Sequence, residues 1–129
     1  MRTLISIISA LLFLATVLWN RDIFTPQDYS QVYVKRIIDG DTFVGITHSR
    51  EDRIRLARID CPEMDTYQGE AAKHVTDSLI GGKTVRIDYL GRGYYKRMIC
   101  EVFVDSLNLS DYLVLRGHAI YKSYPKPKK

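Results

Sequence analysis

Residues 37–63 form the stretch around which the predicted fold is arranged. It begins with IIDGDT (37–42) and ends with IRLARIDCPE (54–63). Each segment is an apolar run followed by carboxylates, and the second run contains an arginine between apolar neighbours. Carboxylates gathered at the ends of strand-like runs repel one another unless a positive group binds between them. The stretch therefore predicts a cation site where two strands end.

Apolar and polar residues alternate along five segments in and around this stretch, which is typical of strands with one buried face. The turn Asp39-Gly40-Asp41 separates the first two segments, and a polar loop, 47–52, separates the second from the third. The predicted strands are 31–38, Thr42–Ile46, Arg53–Ile59, Val85–Tyr89 and Met98–Val104.

Two helices are predicted between and after these strands. Helical spacing of Ala71, Val75 and Leu79 indicates a helix over 70–80, which Gly81 ends. Ser110 is a suitable N-cap for a short helix over 111–116. Five antiparallel strands, with one helix after the third and one after the fifth, favour a mainly β fold with helices (α+β), a small OB-type barrel.

Composition is that of an ordinary globular protein. The 129 residues are 46% hydrophobic and 26% charged, enough for one domain of about 100 residues with an N-terminal extension, and they exclude a disordered chain. The net charge of +4 weakly favours an anionic partner. Two cysteines, Cys61 and Cys100, are too few for a disulfide framework or a zinc site; one bridge or two buried free thiols both remain open.

The N-terminal region is an apolar run, residues 4–19, that shows no polar face. Such a run is typical of a secretory signal or an uncleaved membrane anchor. We therefore expect a secreted or membrane-anchored protein whose domain lies outside the cytoplasm. The predicted division is 1–19 for the signal or anchor, 20–30 for a linker, 31–124 for the domain and 125–129 for a basic tail.

Three carboxylates of the central stretch are candidates for chemistry: Asp41, Asp60 and Glu63. Hard cations such as calcium bind several oxygen ligands from carboxylates, backbone carbonyls and water. Asp41 follows a tight glycine turn and Asp60 ends a strand, so two strand ends that meet in a barrel would share an ion. The alternative is a pair of ordinary turn aspartates, because Asp-Gly is a common turn dipeptide.

Arg55 is the next candidate. An arginine among apolar neighbours needs an anionic partner if it is buried. The alternative is a solvated face, which the nearby Arg53 and Arg58 also suggest. A metal ion beside fixed guanidinium groups would stabilise charge on a phosphorus centre, and a carboxylate would activate water.

These motifs resemble those of the staphylococcal nuclease (thermonuclease) family. The resemblance rests on DGDT (39–42) and IRLARIDCPE (54–63), followed by YKR (95–97) and LVLRGHA (113–119) in the same order and spacing, and it covers residues 31–124. It implies an OB-fold barrel and a calcium-dependent hydrolase of DNA and RNA. Such enzymes cleave the P–O5′ bond and leave 3′-phosphates.

The resemblance also implies a role for each matching residue. Asp41 and Asp60 would be the calcium (Ca2+) carboxylates, and the backbone carbonyl of Cys61 a further ligand. Glu63 would be the general base that acts on water, and Asp39 would support the metal ligands indirectly.

Two arginines would bind the scissile phosphate, Arg55 and a second one. Arg92, in Gly91-Arg92-Gly93, superficially matches the family's Gly-Arg, but counting back from Gly117 favours Arg97. Lys96 stands where the family has glycine, which bears on the shape of this loop and on the direction of Arg97. Cys61 stands in place of a threonine, a change that matters little if only its carbonyl binds the metal.

Tyr95 and Tyr124 are candidate substrate contacts, because aromatic side chains stack on the bases of single strands. Tyrosines half-buried at the barrel rim are the alternative. We expect a monomer that acts on DNA and RNA, with single strands preferred, and that contacts a membrane through residues 4–19 if these are retained. The rival functions are a catalytically silent nucleic-acid-binding barrel and an interaction domain, each tethered to a membrane.

Overall fold

The computed structural model describes residues 1–19 and 30–123. The side chains of residues 17–19 are not described. Most of the predicted linker, as well as Tyr124 and the basic tail, lies outside the described residues, so those expectations stay predictions.

Five strands in the described part of the chain form a closed barrel. Neighbouring strands pair in the order β3-β2-β1-β5-β6, and β3 also pairs with β6 in parallel, which closes the sheet on itself. The predicted OB-type barrel with additional helices is therefore confirmed, but the prediction that all five strands are antiparallel is wrong at the pair that closes the barrel. The barrel strands are β1 (Gln31–Asp39), β2 (Thr42–Thr47), β3 (Arg50–Leu56), β5 (Thr84–Arg92) and β6 (Met98–Val104).

Short strands and helices complete the fold. Helix α2 (Tyr67–Ile80) follows the third barrel strand and α3 (Leu109–Leu115) follows the fifth, as predicted, and an N-terminal helix α1 covers Arg2–Trp19. The strand β7 (Leu107–Asn108) pairs with β6. The strands β4 (Ile59–Asp60) and β8 (Ile120–Tyr121) pair with each other as a separate two-stranded ribbon.

The third strand differs from its prediction at both ends. It begins at Arg50, because residues 47–52 are not a loop: the chain turns at His48 and Ser49, both with positive φ (46° and 65°), and the polar residues after them pair with β2. It ends at Leu56, because Arg58 adopts φ +66° and breaks the extended backbone before β4. A positive φ is available to few residues other than glycine, so neither turn has a clear sequence signal.

The helix starts also differ slightly. The N-cap of α3 is Asn108, whose side chain accepts from the backbone N–H of Asp111 at 3.1 Å. The predicted cap, Ser110, is instead buried inside the helix and donates to the carbonyl of Ala57 at 2.9 Å. Thr66 caps α2 by accepting from the N–H of Gly69 at 3.0 Å, so that helix begins three residues before its predicted start.

The core lies inside the barrel and beneath α2 and α3. Its largest fully buried side chains include Phe43, Ile54, Met98 and Leu113. Burial of each such side chain contributes about 1.5–3 kcal/mol relative to exposure. Because strand residues alternate between faces, the residues between these core positions lie on the opposite face of the sheet. We call this the outer face; it carries Thr42, Val44, Arg53, Arg55 and Ile99.

Helix α1 exposes its large apolar side chains. Eight of them, between Leu4 and Leu14, are 51% to 72% exposed. Within the parts of the chain that are described, no helix combines the length and the apolar character needed to cross a membrane.

Candidate active site

Helix α2 contacts the turn that carries Asp41 and fixes its position. Thr76 of that helix is fully buried and donates from Oγ1 to the carbonyl of Gly40 at 2.7 Å. A Cβ at Gly40 would lie 2.8 Å from the Cβ of Ala72 and 2.9 Å from Sγ of Cys61, so only glycine allows helix and turn to approach this closely. The carboxylate at this turn therefore has a fixed backbone.

The Asp41 carboxylate is buried, with the residue 6% exposed. Its Oδ1 accepts from Oγ1 of Thr42 at 3.0 Å, and its Oδ2 accepts from the backbone N–H of Cys61 at 2.9 Å. Asp39 accepts from the backbone N–H of Asp41 at 3.1 Å, so it supports the turn. Burial raises the pKa of Asp41 above its ordinary value, and the nearby Arg55 only partly offsets this rise. A further positive charge would stabilise this carboxylate.

Arg55 lies between the two predicted metal-binding aspartates. It is 6% exposed, with Nη1 at 3.1 Å from Oδ2 of Asp41 and Nη2 at 3.2 Å from Oδ1 of Asp60. It also donates to the carbonyls of Leu56 at 3.3 Å and Ile59 at 3.1 Å. The expectation of a buried arginine with anionic partners is confirmed, and the alternative of a solvated face is wrong.

Asp60 lies on β4 and is held by the C-terminal part of the domain. It pairs with Ile120 in the β4–β8 ribbon, and its side chain is 38% exposed. Its Oδ2 lies 3.2 Å from Nζ of Lys122, whose backbone N–H donates to the carbonyl of Arg58 at 2.8 Å. A lysine ammonium therefore lies against the open side of this carboxylate.

The residue before β4, Arg58, joins this ribbon to the barrel and to α3. Its guanidinium forms ion pairs with Glu101 of β6 and, at 3.1 Å, with Asp111 of α3. Tyr121 of β8 donates to the same Asp111 carboxylate at 2.8 Å. The hydrogen bonds with Glu101 raise the pKa of Arg58 above its ordinary value. These contacts fix the ribbon that carries Asp60.

Glu63 has a fixed backbone and an exposed side chain. Its carbonyl accepts from the backbone N–H of Thr66 at 3.1 Å and from the Thr66 hydroxyl at 2.6 Å. A Cβ at Gly69, in the first turn of α2, would overlap this carbonyl, so helix and loop are in close contact. An exposed carboxylate on a fixed backbone is accessible to water.

An open cleft of about 340 Å³ borders the carboxylates of Asp60 and Glu63. Its two sides are the segment after β3 and the segment after α3, so its walls come from distant parts of the sequence. The lining residues are Asp60, Cys61, Pro62 and Glu63 on one side, and Gly117, His118, Ala119 and Ile120 on the other.

Arg97 lies on the same face of the sheet as Arg55. The parallel pairing of β3 and β6 sets Arg55 beside Ile99, and Arg97 precedes Ile99 by two residues with an extended backbone (φ −68°, ψ 140°). Residues two apart on a strand share a face. The Arg97 Nε donates to the carbonyl of Tyr94 at 3.3 Å, and its Cζ lies 5.7 Å from the ring centroid of Tyr95.

Arg92 lies on the opposite face and has a different task. It pairs across the sheet with Met98, a core residue. Its Nη1 lies 3.2 Å from Oδ1 of Asp52 and 2.7 Å from the carbonyl of Lys96. Arg92 therefore supports the loop that precedes Arg97, and it lies on the face of the sheet opposite to Arg55.

In the loop before Arg97, two residues that are not glycine adopt a backbone conformation typical of glycine. Tyr95 and Lys96 both have φ +58°, the left-handed region that glycine adopts most readily. Lys96 therefore adopts the backbone conformation that a glycine would take at this position. Tyr95 is 89% exposed, so it is not one of the half-buried rim tyrosines of the alternative prediction.

Calcium, the metal that the family resemblance implies, binds six to eight oxygen ligands. Among residues 1–19 and 30–123, no three His, Cys, Asp or Glu side chains lie close enough together to hold a metal. Asp41 and Asp60 nevertheless contact one guanidinium, so their carboxylates converge, and two carboxylates with backbone carbonyls and water suit a hard cation. The chemistry of the donors therefore fits calcium.

Cys61 would contribute only its carbonyl. Burial raises the pKa of its thiol to about 12, so the sulfur stays protonated at neutral pH and is a poor ligand. Cys61 and Cys100 are both free thiols, so the alternative of one bridge is wrong; Cys100 is buried and Cys61 only partly so.

Three side chains that hold the site in place were not among the predicted site residues: Thr42, Thr76 and Lys122. Thr76 is an ordinary helix residue and Lys122 lies 62 residues from its partner Asp60. Only Thr42, next to Asp41 in the turn motif, is close enough in sequence to be noticed.

Comparison with known proteins identifies relatives of this chain. Residues 53–129 match the family model described as "Staphylococcal nuclease homologue". The chain is 37% identical over 93 residues to an "Uncharacterized endonuclease" of Escherichia coli O157:H7, an alignment that covers 70% of this chain and 61% of the relative. It is 33% identical to an "Uncharacterized endonuclease" of Haemophilus influenzae over 93 residues, 70% of this chain and 52% of the relative.

A third relative is a "Thermonuclease" of Staphylococcus intermedius. It is 30% identical over 105 residues, which are 74% of this chain and 62% of that protein. The chain thus spans between half and two thirds of the length of these three relatives.

Proposed function

This chain belongs to the staphylococcal nuclease homologue family, and we propose that it hydrolyses phosphodiester bonds in nucleic acids. The observation that carries the proposal is the buried guanidinium of Arg55 between Asp41 and Asp60, next to the cleft that Glu63 lines. In its finer form the proposal is a calcium-dependent endonuclease of the thermonuclease type. It would act on DNA and RNA as a monomer, prefer single strands, and leave 3′-phosphates.

In this mechanism the two arginines on the outer face, Arg55 and Arg97, bind the oxygens of the scissile phosphate. Guanidinium groups match phosphate oxygens in charge and geometry. Asp41, Asp60 and the carbonyl of Cys61 would hold the calcium ion, which when bound supplies positive charge to the phosphate oxygens.

Glu63 accepts a proton from water while the water oxygen forms a bond to phosphorus. The P–O5′ bond breaks and its electron pair stays on O5′, which takes up a proton from solvent. One fragment then carries a 3′-phosphate and the other a 5′-hydroxyl. The exposed side chain of Glu63 on its fixed loop supports this assignment.

Substrate bases would stack on Tyr95 and Tyr124. The exposed ring of Tyr95, close to Arg97, supports this role. Tyr124 lies outside the described residues, so its role stands on the resemblance alone.

The test is digestion of denatured DNA by the purified chain, with calcium and with a chelator. We expect cutting only with calcium, and products whose 3′ ends are released by phosphatase. Glu63→Gln and Arg97→Ala should each lower kcat by about 10²–10³-fold. The exposed residues Asp65 and Arg116 provide matched controls, Asp65→Asn and Arg116→Ala, which should cut normally.

Two outcomes would contradict the proposal in different ways. Equal cutting by Glu63→Gln, Arg97→Ala and their controls would refute the residue assignment and leave the nuclease activity. Binding of DNA with no cutting at any calcium concentration would favour the catalytically silent binding barrel.

We also propose that the protein is secreted or membrane-anchored, with its domain outside the cytoplasm. The exposed apolar side chains of α1 support this proposal, because a helix whose large apolar side chains are exposed suits a targeting or anchoring segment. Fractionation of cells that express the full chain tests it. We expect the protein in the membrane or secreted fraction, and removal of residues 1–19 should shift it to the cytosol. Recovery of the full chain in the cytosol would contradict the proposal.

A further inference from the structure

A row of arginines crosses the outer face beside the candidate active site. The antiparallel pairing sets Arg36 of β1 opposite Val44 of β2, and Val44 opposite Arg53 of β3. Directly paired residues in a sheet point to the same face. Arg53 also shares that face with Arg55, two residues later on the same strand.

The row continues onto β6 at Arg97. Ile54 of β3 lies beside Met98 in the parallel pair, so the residues before them, Arg53 and Arg97, are neighbours. We define the arginine row as Arg36, Arg53 and Arg97. With strands about 4.8 Å apart, three strand steps make the row roughly 14 Å long. It therefore begins at a proposed catalytic arginine and leads away from the site.

Among the residues that the structure describes, no ion pair neutralises the charges of the arginine row. Arg36 and Arg53 are exposed, and within the described ranges neither forms an ion pair; Arg97 contacts only a carbonyl and a tyrosine ring. Basic side chains next to the row are paired instead. Lys35 forms an ion pair with Glu51, and Arg50 lies 3.7 Å from Oδ2 of Asp52.

We propose that the arginine row binds phosphates of a nucleic acid strand beyond the scissile phosphate. Exposed guanidinium groups without carboxylate partners bind phosphate oxygens through paired hydrogen bonds. A row roughly 14 Å long contacts more than one phosphate of an extended strand. The inference rests on the proposed nuclease function, and it specifies the path of the substrate: from Arg97 over Arg53 to Arg36, across β3 and β2 to β1.

The first experiment measures binding without cutting. A fluorescein-labelled single-stranded 12-mer is titrated with the full chain in a chelator, and anisotropy gives Kd at several salt concentrations. The variant R36Q/R53Q should bind at least tenfold more weakly. Because each phosphate contact on a single strand contributes about −0.7 to the salt slope, loss of two contacts should make the slope shallower by about 1.4.

The matched control is K35Q/R50Q. It removes the same charge from the same two strands, but from side chains that already have acidic partners. It should change Kd less than threefold. Both variants alter exposed residues, so thermal unfolding should stay close to that of the parent chain. Equal loss of affinity in the two variants would show an effect of net charge alone and would overturn the proposal.

The second experiment separates this proposal from the nuclease activity itself. Cleavage of a 20-mer is compared with cleavage of a dinucleotide, and R36Q/R53Q should lower kcat/KM about tenfold more for the 20-mer. An equal reduction for both lengths would overturn the row while the nuclease function stands. A chain that cuts nothing would overturn the nuclease function, and the binding experiment would still test the row.

Anionic membrane is a second source of phosphate groups. Vesicles of phosphatidylserine and phosphatidylcholine are therefore included as a competing ligand in the anisotropy assay. If R36Q/R53Q loses vesicle binding but binds the 12-mer as before, the row is a membrane surface and the proposal is wrong. Loss of 12-mer binding, with or without a change in vesicle binding, supports it.

Discussion

Replacement of Arg55 by methionine tests the central contact of the site. Methionine keeps the unbranched stem of the side chain and removes the guanidinium. The contacts of that group are lost, including those to the carboxylates of Asp41 and Asp60 and to the carbonyls of Leu56 and Ile59. We expect Arg55→Met to be strongly destabilising even though methionine suits an apolar interior.

The size of this destabilisation depends on the carboxylates that remain without the guanidinium. Removal of one partner of a buried ion pair typically costs about 3–5 kcal/mol, because the other charge remains buried without compensation. Asp41 fits this case, whereas Asp60 is 38% exposed and water screens its charge. We therefore expect the lower end, about 3 kcal/mol. For a domain of about 100 residues this is a decrease in Tm of roughly 15 °C.

The assay is urea unfolding followed by circular dichroism, in a chelator so that no metal contributes. Arg53→Met is the matched control, because Arg53 lies two residues earlier on the same face but is exposed; its free energy of unfolding should change by less than about 0.5 kcal/mol. Asp41→Asn combined with Arg55→Met should recover much of the loss, since the uncompensated charge is gone. A loss below about 1 kcal/mol for Arg55→Met, or a double variant that loses the sum of the singles, would refute this reasoning.

Three further changes test separate parts of the site. Lys96→Gly should raise the free energy of unfolding by about 0.5–1 kcal/mol, because glycine adopts φ +58° without strain. A free energy of unfolding in urea below that of the parent chain would contradict this. Gly69→Ala should lower the free energy of unfolding by about 1–3 kcal/mol and slow nucleic acid cleavage, because the new Cβ overlaps the carbonyl of Glu63. Stability and a cleavage rate equal to those of the parent chain would show that the loop moves aside without cost. Lys122→Met should tighten Ca2+ binding in calorimetry by up to about fivefold, because it removes a competing cation from Asp60, and weaker binding would count against that role.

The barrel was predictable because its apolar residues alternate where one face is buried. The fifth barrel strand, Met98–Val104, has the predicted bounds, since its core positions are regularly spaced. The third strand was not fully predictable. Its first part, residues 50–53, is entirely polar, and it pairs only because the two residues before it form a tight turn with positive φ. Hydrophobic alternation contains no information about such a strand.

The candidate site, too, was predictable only in part. Asp41, Arg55 and Asp60 lie in one continuous stretch, so their convergence follows from β2, β3 and β4 and the two turns between them. Other contacts depend on side chains that meet only in the closed barrel. These are the contact between Asp60 and Lys122 and the support that Arg92 gives to the loop after it. Local sequence patterns cannot predict such contacts. The contacts depend on which face of each strand carries the side chain and on where the last segment of the domain packs.

The pairing of β4 with β8 has a consequence for the order in which the protein is made. Asp60 acquires its strand partner from residues 120 and 121, which leave the ribosome about sixty residues after it. Arg58 likewise needs Glu101 and Asp111 before the ribbon is held in place. A growing chain therefore carries the complete acidic motif long before it carries the assembled site. During translation Asp60 therefore lacks the contacts that fix it in the folded domain until the last segment of that domain has been made.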